Sequence, residues 1–286
     1  MSSIISARGL TKRYGRTVAV DNIDIDIPSG RIVGLIGPNG AGKTTALKAI
    51  LGLATYDGEL SVLGKNPSTQ RAALMEEVCF IADVAVLPRW IRVHQLIEVT
   101  EKLHPGFSRE RCMKYLGKTK VRLDHKVKQL SKGMVTLLHL AIVSAIDAKL
   151  LVLDEPTLGL DIIHRKDFHT RLLDDYLDED RTILITTHQV EEVEHILTDL
   201  IFIKDGRIAL ESTMEDVQER FYAVEVEPDK ISEARRLAPF YETRVRGGQH
   251  QFMYDGVDRD TLRNLGDTHI PRVADLFVAI MNGGES

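Results

Sequence analysis

Between Ile4 and Ile27 the apolar positions fall in short runs suited to strands, and Asn22-Ile23-Asp24-Ile25-Asp26-Ile27 alternates strictly. That period of two is the pattern of an antiparallel strand with one face buried and one wet. Pro28-Ser29-Gly30 is a turn. Arg31 to Ile36 is then almost wholly apolar, as in a strand covered on both faces, and leads through a glycine-rich stretch into a helical pattern from Thr44 to Leu53.

From Ala72 to Leu123 the pattern is mostly helical, broken into short pieces by Pro88, Trp90, Pro105 and Gly106, and it reads as an insertion. Leu150 to Leu153 is a buried parallel strand, Arg165 to Leu177 an amphipathic helix, Thr182 to Thr186 a strand and Val190 to Leu197 a helix. Strands alternating with helices predict an α/β core. Leu200 to Ile203 and Arg207 to Leu210, joined by Lys204-Asp205-Gly206, predict a closing hairpin. Beyond Thr213 the texture changes. Strands are expected at Phe221 to Val226, Glu242 to Arg246 and Gln251 to Tyr254, and helices at Ile231 to Leu237 and Arg272 to Met281. These make a small α+β unit at 221–286, separated from the first 213 residues near Met214 to Arg220.

Composition narrows the class of protein. The 286 residues are 43% hydrophobic and 28% charged, enough for a substantial packed core. A net charge of -5 gives no reason to expect nucleic acid as a partner, since a phosphate backbone calls for clustered Lys and Arg. The longest apolar run, Leu137 to Ile146, is far short of the roughly 20 residues a membrane span needs. No export signal is legible, and Cys79 and Cys112 have no paired spacing, so both are expected to be reduced core thiols of a cytosolic protein.

Three segments carry chemistry. Gly37-Pro38-Asn39-Gly40-Ala41-Gly42-Lys43-Thr44 fits the phosphate-loop pattern of Gly, four residues, Gly-Lys-Thr. Its glycines let backbone N–H groups close on phosphate oxygens, and the helix that follows presents its positive end. Lys43 reaches the β- and γ-phosphates, Thr44 offers a hydroxyl to Mg²⁺, and Thr45 neighbours the α-phosphate. Leu150-Leu151-Val152-Leu153-Asp154-Glu155 delivers two carboxylates at a strand end. Opposite side-chain directions let Asp154 hold the metal while Glu155 faces water as general base. Thr186-Thr187-His188 follows the next strand, which brings His188 to the same sheet edge as a γ-phosphate sensor.

Taken in order, these segments resemble the nucleotide-binding subunits of ABC transporters over roughly residues 3 to 213. The resemblance implies a P-loop NTPase (RecA-like) α/β core with an antiparallel β subdomain and a helical subdomain inserted at about 84–146, the C-terminal α+β unit being additional. It also implies roles for further residues. Tyr14, in Leu10-Thr11-Lys12-Arg13-Tyr14-Gly15, matches the aromatic residue that stacks on adenine. Leu130-Ser131-Lys132-Gly133-Met134 stands at the signature, usually Leu-Ser-Gly-Gly-Gln, with Ser131 and Gly133 kept as contacts to the γ-phosphate of a partner's ATP. Gly159-Leu160-Asp161 matches the loop that communicates between subunits, and Asp83 replaces the usual Gln beside Mg²⁺. The Lys-Gly-Met signature is similar to that of the branch serving simple six-helix export permeases.

The resemblance therefore implies ATP and Mg²⁺ as ligands, a head-to-tail homodimer, and an integral membrane permease as partner at the cytoplasmic face. Val84, Val86, Leu87, Trp90 and Ile91 either line a groove for the permease or pack inside the helical subdomain. Two other readings stay open: a soluble ATPase of the same type acting on ribosomes or DNA, and a non-catalytic regulatory subunit, to which Asp83 and the altered signature point.

Overall fold

A computed structural model of the chain describes residues 3–82, 87–157, 181–245 and 248–283, with positions 165, 166, 168, 170, 172 and 173 between them. Strands β1 (Ser3–Tyr14) and β2 (Thr17–Pro28) form an antiparallel pair, and β4 (Asp57–Val62) adds to the other edge of β1. The alternation at the end of β2 is realised as expected: Ile23, Ile25 and Ile27 are buried while Asp24 and Asp26 face water.

The central sheet has the order β5-β6-β7-β3-β8-β9, built from β5 (Val78–Ile81), β6 (Leu150–Asp154), β7 (Thr182–Thr187), β3 (Ile32–Ile36), β8 (Asp199–Lys204) and β9 (Arg207–Thr213). All neighbours are parallel except the β8–β9 hairpin. Every residue of β3, β6 and β7 is buried, which is why these segments read as continuous apolar runs with no alternation. The hairpin turns at Asp205 and Gly206, whose φ angles of 49° and 79° are the left-handed pair that matches the twist of the flanking strands. One apolar cluster lies between this sheet and the antiparallel sheet, with Ile5, Leu10, Leu47 and Leu184 at its centre; a second fills the other face.

Several elements differ from expectation. The stretch from Ala72 to Leu123 contains a strand, β5, because a four-residue apolar run carries no period and is settled only by its pairing with β6. Helices there span Val93–Leu103 and Arg109–Leu116. The segment expected as a helix from Val190 to Leu197 divides into an α-turn at Val190–Val193 and a 3₁₀ turn at Glu194–Ile196. Met214–Arg220 is itself a helix, capped by the Thr213 hydroxyl, which accepts from the Asp216 N–H at 2.9 Å.

The C-terminal segment folds in the order strand, helix, strand, strand, helix, strand: β10 (Phe221–Val226), helix Ile231–Arg236, β11 (Tyr241–Arg244), β12 (His250–Asp255), helix Arg259–Arg263 and β13 (Gly266–His269). Its antiparallel sheet has the order β11-β12-β10-β13, a split βαβ arrangement. The two short helices cover one face over Val224, Val226, Phe252 and Tyr254. Helix Val273–Asn282 bridges the other face and the central sheet: Ala279 packs with Ala223 and Met253, while Phe277 meets Phe202 edge to face at 5.2 Å. Lys204 Nζ donates to the carbonyl of Met281 at 2.6 Å.

Among the described residues no helix is long and apolar enough to cross a membrane, and the longest apolar run lies largely in the helix Lys132–Ser144. Cys79 and Cys112 are buried and unpaired, and burial pushes both thiols up to about 12.

Candidate functional site

The parallel strands end at one edge, and three of them deliver the side chains of a single open cleft of about 430 Å³. Asn39, Gly40, Gly42, Lys43, Thr44 and Thr45 line it after β3, Glu155 after β6 and His188 after β7, with Ala19 forming the remaining wall. Sites at this edge of a parallel sheet follow from topology, because loops converge there.

The glycine loop is shaped by close approach. A Cβ on Gly37 would lie 2.4 Å from the carbonyl oxygen of Ile203, and one on Gly42 would lie 2.5 Å from that of Ala19. Gly42 also has φ 110°, a conformation open essentially to glycine, and it caps the helix Lys43–Ile50. The first turn of that helix has N–H groups without intrahelical acceptors, and it opens directly into the cleft. Ala41 is buried beneath the loop.

Lys43 is 6% exposed, and its ammonium is held by the carbonyls of Gly37 at 2.7 Å and Pro38 at 3.3 Å. It also lies 3.5 Å from Glu155 Oε1. The other Glu155 oxygen is 2.9 Å from His188 Nδ1. Asp154, the last residue of β6, accepts from the Thr186 hydroxyl at 2.5 Å and from the Thr44 hydroxyl at 3.4 Å. Lys43, Thr44, Asp154, Glu155 and His188 are thus brought together.

Glu155 reaches its position differently from the expectation. It stands outside the strand with φ 49°, so a left-handed turn, and not strand alternation, sends its carboxylate away from Asp154. Its N–H still donates to the carbonyl of Thr186 at 3.0 Å, which anchors the turn to β7. A non-glycine residue in this region persists only where its surroundings over-determine it, and such residues concentrate at functional sites.

Other expected residues lie elsewhere. Tyr14 ends β1, half exposed, with Lys12 Nζ 5.0 Å above its ring, and is not among the residues lining the cleft. Ser131 caps the helix Lys132–Ser144, its Oγ accepting from the Met134 N–H at 3.2 Å; Ser131 is exposed, Gly133 is buried in the first turn, and neither lines this cleft. Asp83, Val84 and Val86 lie outside the described residues, as do Gly159, Leu160 and Asp161. Of the remaining apolar positions, Ile91 is buried, Leu87 packs at the edge of the core, and Trp90 is 71% exposed.

Sequence reading missed Ala19 and Thr186. Thr186 had a signal: it is the residue of β7 in register with Asp154, so its hydroxyl falls where a strand-end carboxylate needs a donor.

The cleft can hold a polyphosphate by its loop and Lys43. Thr44 and Asp154, hydroxyl and carboxylate side by side, suit a hard cation that takes its other ligands from phosphate and water. Comparisons with known proteins identify relatives of the chain. Residues 20–158 match the family described as ABC transporter. The chain is 35% identical over 269 aligned residues to the Nod factor export ATP-binding protein I of Cupriavidus metallidurans, covering 89% of this chain and 87% of that protein. It is 33% identical over 210 residues to the lantibiotic transport ATP-binding protein SrtF of Streptococcus pyogenes, covering 73% and 90%. Among solved structures, an ATP-binding subunit of an ABC transporter superposes with a TM-score of 0.68 at 22% identity, over 76% of this chain and 92% of that one.

Proposed function

The chain belongs to the ABC transporter family as an ATP-binding subunit, and we propose that it hydrolyses Mg-ATP in the cleft at Lys43, Glu155 and His188 to drive an export permease. The observation that carries this reading is the convergence of Lys43 Nζ and His188 Nδ1 on the two oxygens of one nearly dry carboxylate, at 3.5 and 2.9 Å. Family membership supports ATP as the nucleotide and a membrane permease as partner. The names of the relatives, Nod factor export and lantibiotic transport, favour outward movement of the cargo.

In this reading the loop from Gly37 to Gly42 wraps the phosphates with backbone N–H groups, Lys43 neutralises the β- and γ-phosphates, and Thr45 contacts the α-phosphate. Thr44 and Asp154 hold Mg²⁺, which when bound offsets charge on the transferring phosphoryl group. Glu155 takes the proton of the attacking water. His188, whose Nδ1 pairs with Glu155, fixes the direction of that carboxylate and senses the γ-phosphate. Asp83 is assigned beside the metal on sequence grounds alone.

Ser131 is exposed and neither it nor the buried Gly133 lines the cleft of its own chain; in this reading they serve the γ-phosphate of ATP held by a second copy arranged head to tail. Tyr14 would then stack on adenine from the rim. Residues 1–213 form the ATP-binding domain with its helical insertion at about 84–146, and 221–286 an accessory domain. The subunit works at the cytoplasmic face of the membrane, attached through its permease.

The test is steady-state turnover of Mg-ATP by the purified chain, followed by Lys43→Ala. Turnover that vanishes together with ATP binding supports the assignment. A wild-type chain that ignores Mg-ATP in a titration overturns it.

A further inference from the structure

We propose that Glu192 is a positioning residue for this ATPase site, acting through Thr157 to hold Glu155 against His188; the inference rests on the hydrolytic reading above. Glu192 lies in the short helix Val190–Val193, four residues after His188, and its side chain is only 12% exposed. Both carboxylate oxygens are engaged. Oε2 accepts the Thr157 hydroxyl at 2.5 Å, and Oε1 pairs with the Arg165 guanidinium. Thr157 is buried and stands two residues beyond Glu155.

These contacts close a ring through the site. From Glu155 the chain runs to Thr157, across a hydrogen bond to Glu192, back along the chain to His188, and across the 2.9 Å contact to Glu155. Two cross-links a few residues apart therefore tie the segment leaving β6 to the segment leaving β7. The backbone between them includes Glu155 in its left-handed conformation, which needs support from outside itself. A carboxylate largely removed from water needs its charge paired and its lone pairs filled, and the Arg165 guanidinium together with the Thr157 hydroxyl meets that need and holds Glu192 in place.

Rates of positioned chemistry respond steeply to displacements well below the length of a bond network, whereas nucleotide binding rests on the glycine loop and Lys43, which Glu192 does not touch. The two should therefore separate.

The experiment measures kcat and KM for Mg-ATP, together with Tm, on the full chain and on Thr157→Val, Thr157→Ser and Glu192→Gln. The expected result is a fall in kcat of about tenfold or more for Thr157→Val and Glu192→Gln with KM within about twofold, and recovery of most of kcat in Thr157→Ser, which restores the hydroxyl. Wild-type kcat in Thr157→Val overturns the proposal, as does a Thr157→Ser variant no better than Thr157→Val, which would make the methyl group the important part. A parallel rise in KM would also overturn it, by assigning the residue to binding. If the wild-type chain itself fails to hydrolyse Mg-ATP, the hydrolytic reading falls and this inference falls with it.

Discussion

His188 Nδ1 and Glu155 Oε2 are 2.9 Å apart although 33 residues separate them, because β6 and β7 are parallel neighbours that end at the same level. The pair is the centre of the proposed reaction, and replacing Glu155 by Gln keeps its size and its contact with His188 while removing the base. The variant is expected to bind ATP as tightly as wild type and to lose about 10²–10⁴ in kcat. An ATP titration and a phosphate-release assay on the same preparation check both halves.

Gly42→Ala would put a methyl 2.5 Å from the Ala19 carbonyl at a φ of 110°. Neither backbone can retreat without opening the phosphate loop. Strain of this kind costs about 1–3 kcal/mol, and relieving it by loop distortion weakens ATP affinity by about tenfold or more. Calorimetric titration with ATP is the measurement; affinity equal to wild type would show that the loop's shape does not depend on this contact.

Trp90 stands out from the helical region with its ring largely in water, whereas its neighbour Ile91 belongs to the core. Trp90→Ala is therefore expected to leave Tm and free-subunit turnover unchanged. If the ring meets the permease, the same variant is lost from washed membranes when expressed with that partner; full retention would remove Trp90 from the interface.

His139 gives a pH dependence of stability. Its imidazole sits within the apolar helix Lys132–Ser144, and burial lowers its pKa from 6.5 to about 4. The folded state thus resists protonation that the unfolded chain accepts, so stability from this group is complete above pH 6.5 and declines as pH falls toward 4, by at most about 3 kcal/mol. Urea midpoints measured across this interval should flatten in His139→Gln relative to wild type.

Phe277→Ala removes the edge-to-face partner of Phe202 between the last helix and the central sheet. A loss of about 2–3 kcal/mol is expected, because Phe277 is partly and not fully buried. Denaturant unfolding followed by tryptophan and by far-ultraviolet dichroism measures it; an unchanged midpoint would mean that the helix is held by its other contacts.

Much of the nucleotide cleft was legible because its chemistry is local. The glycine loop, Asp154-Glu155 and His188 each follow an apolar run, and a buried parallel strand ends where such a run ends. What escaped was non-local or conformational. β5 is four apolar residues that only pairing with β6 turns into a strand, and β13, Gly-Asp-Thr-His, has no apolar alternation and forms on the edge offered by β10. The left-handed turn at Glu155 has no residue-type marker, since glycine would be the usual sign. Glu192 reads as one of several acids on a short helix, and only its burial against Thr157 and Arg165 sets it apart from Glu191 and Glu194.

The order of the central sheet has a consequence for biosynthesis. β3, the earliest of its six strands to be made, pairs on one side with β7 and on the other with β8, at Ile32 with Ile183 and at Val33 with Asp199. The wall behind Gly37 is the carbonyl of Ile203. A nascent chain that has emerged only through its helical insertion therefore carries the whole glycine loop and the Ala19 carbonyl behind Gly42, but lacks β7, β8 and the Ile203 carbonyl that complete the loop's walls. Nucleotide can act as a folding ligand only once about two hundred residues have left the ribosome.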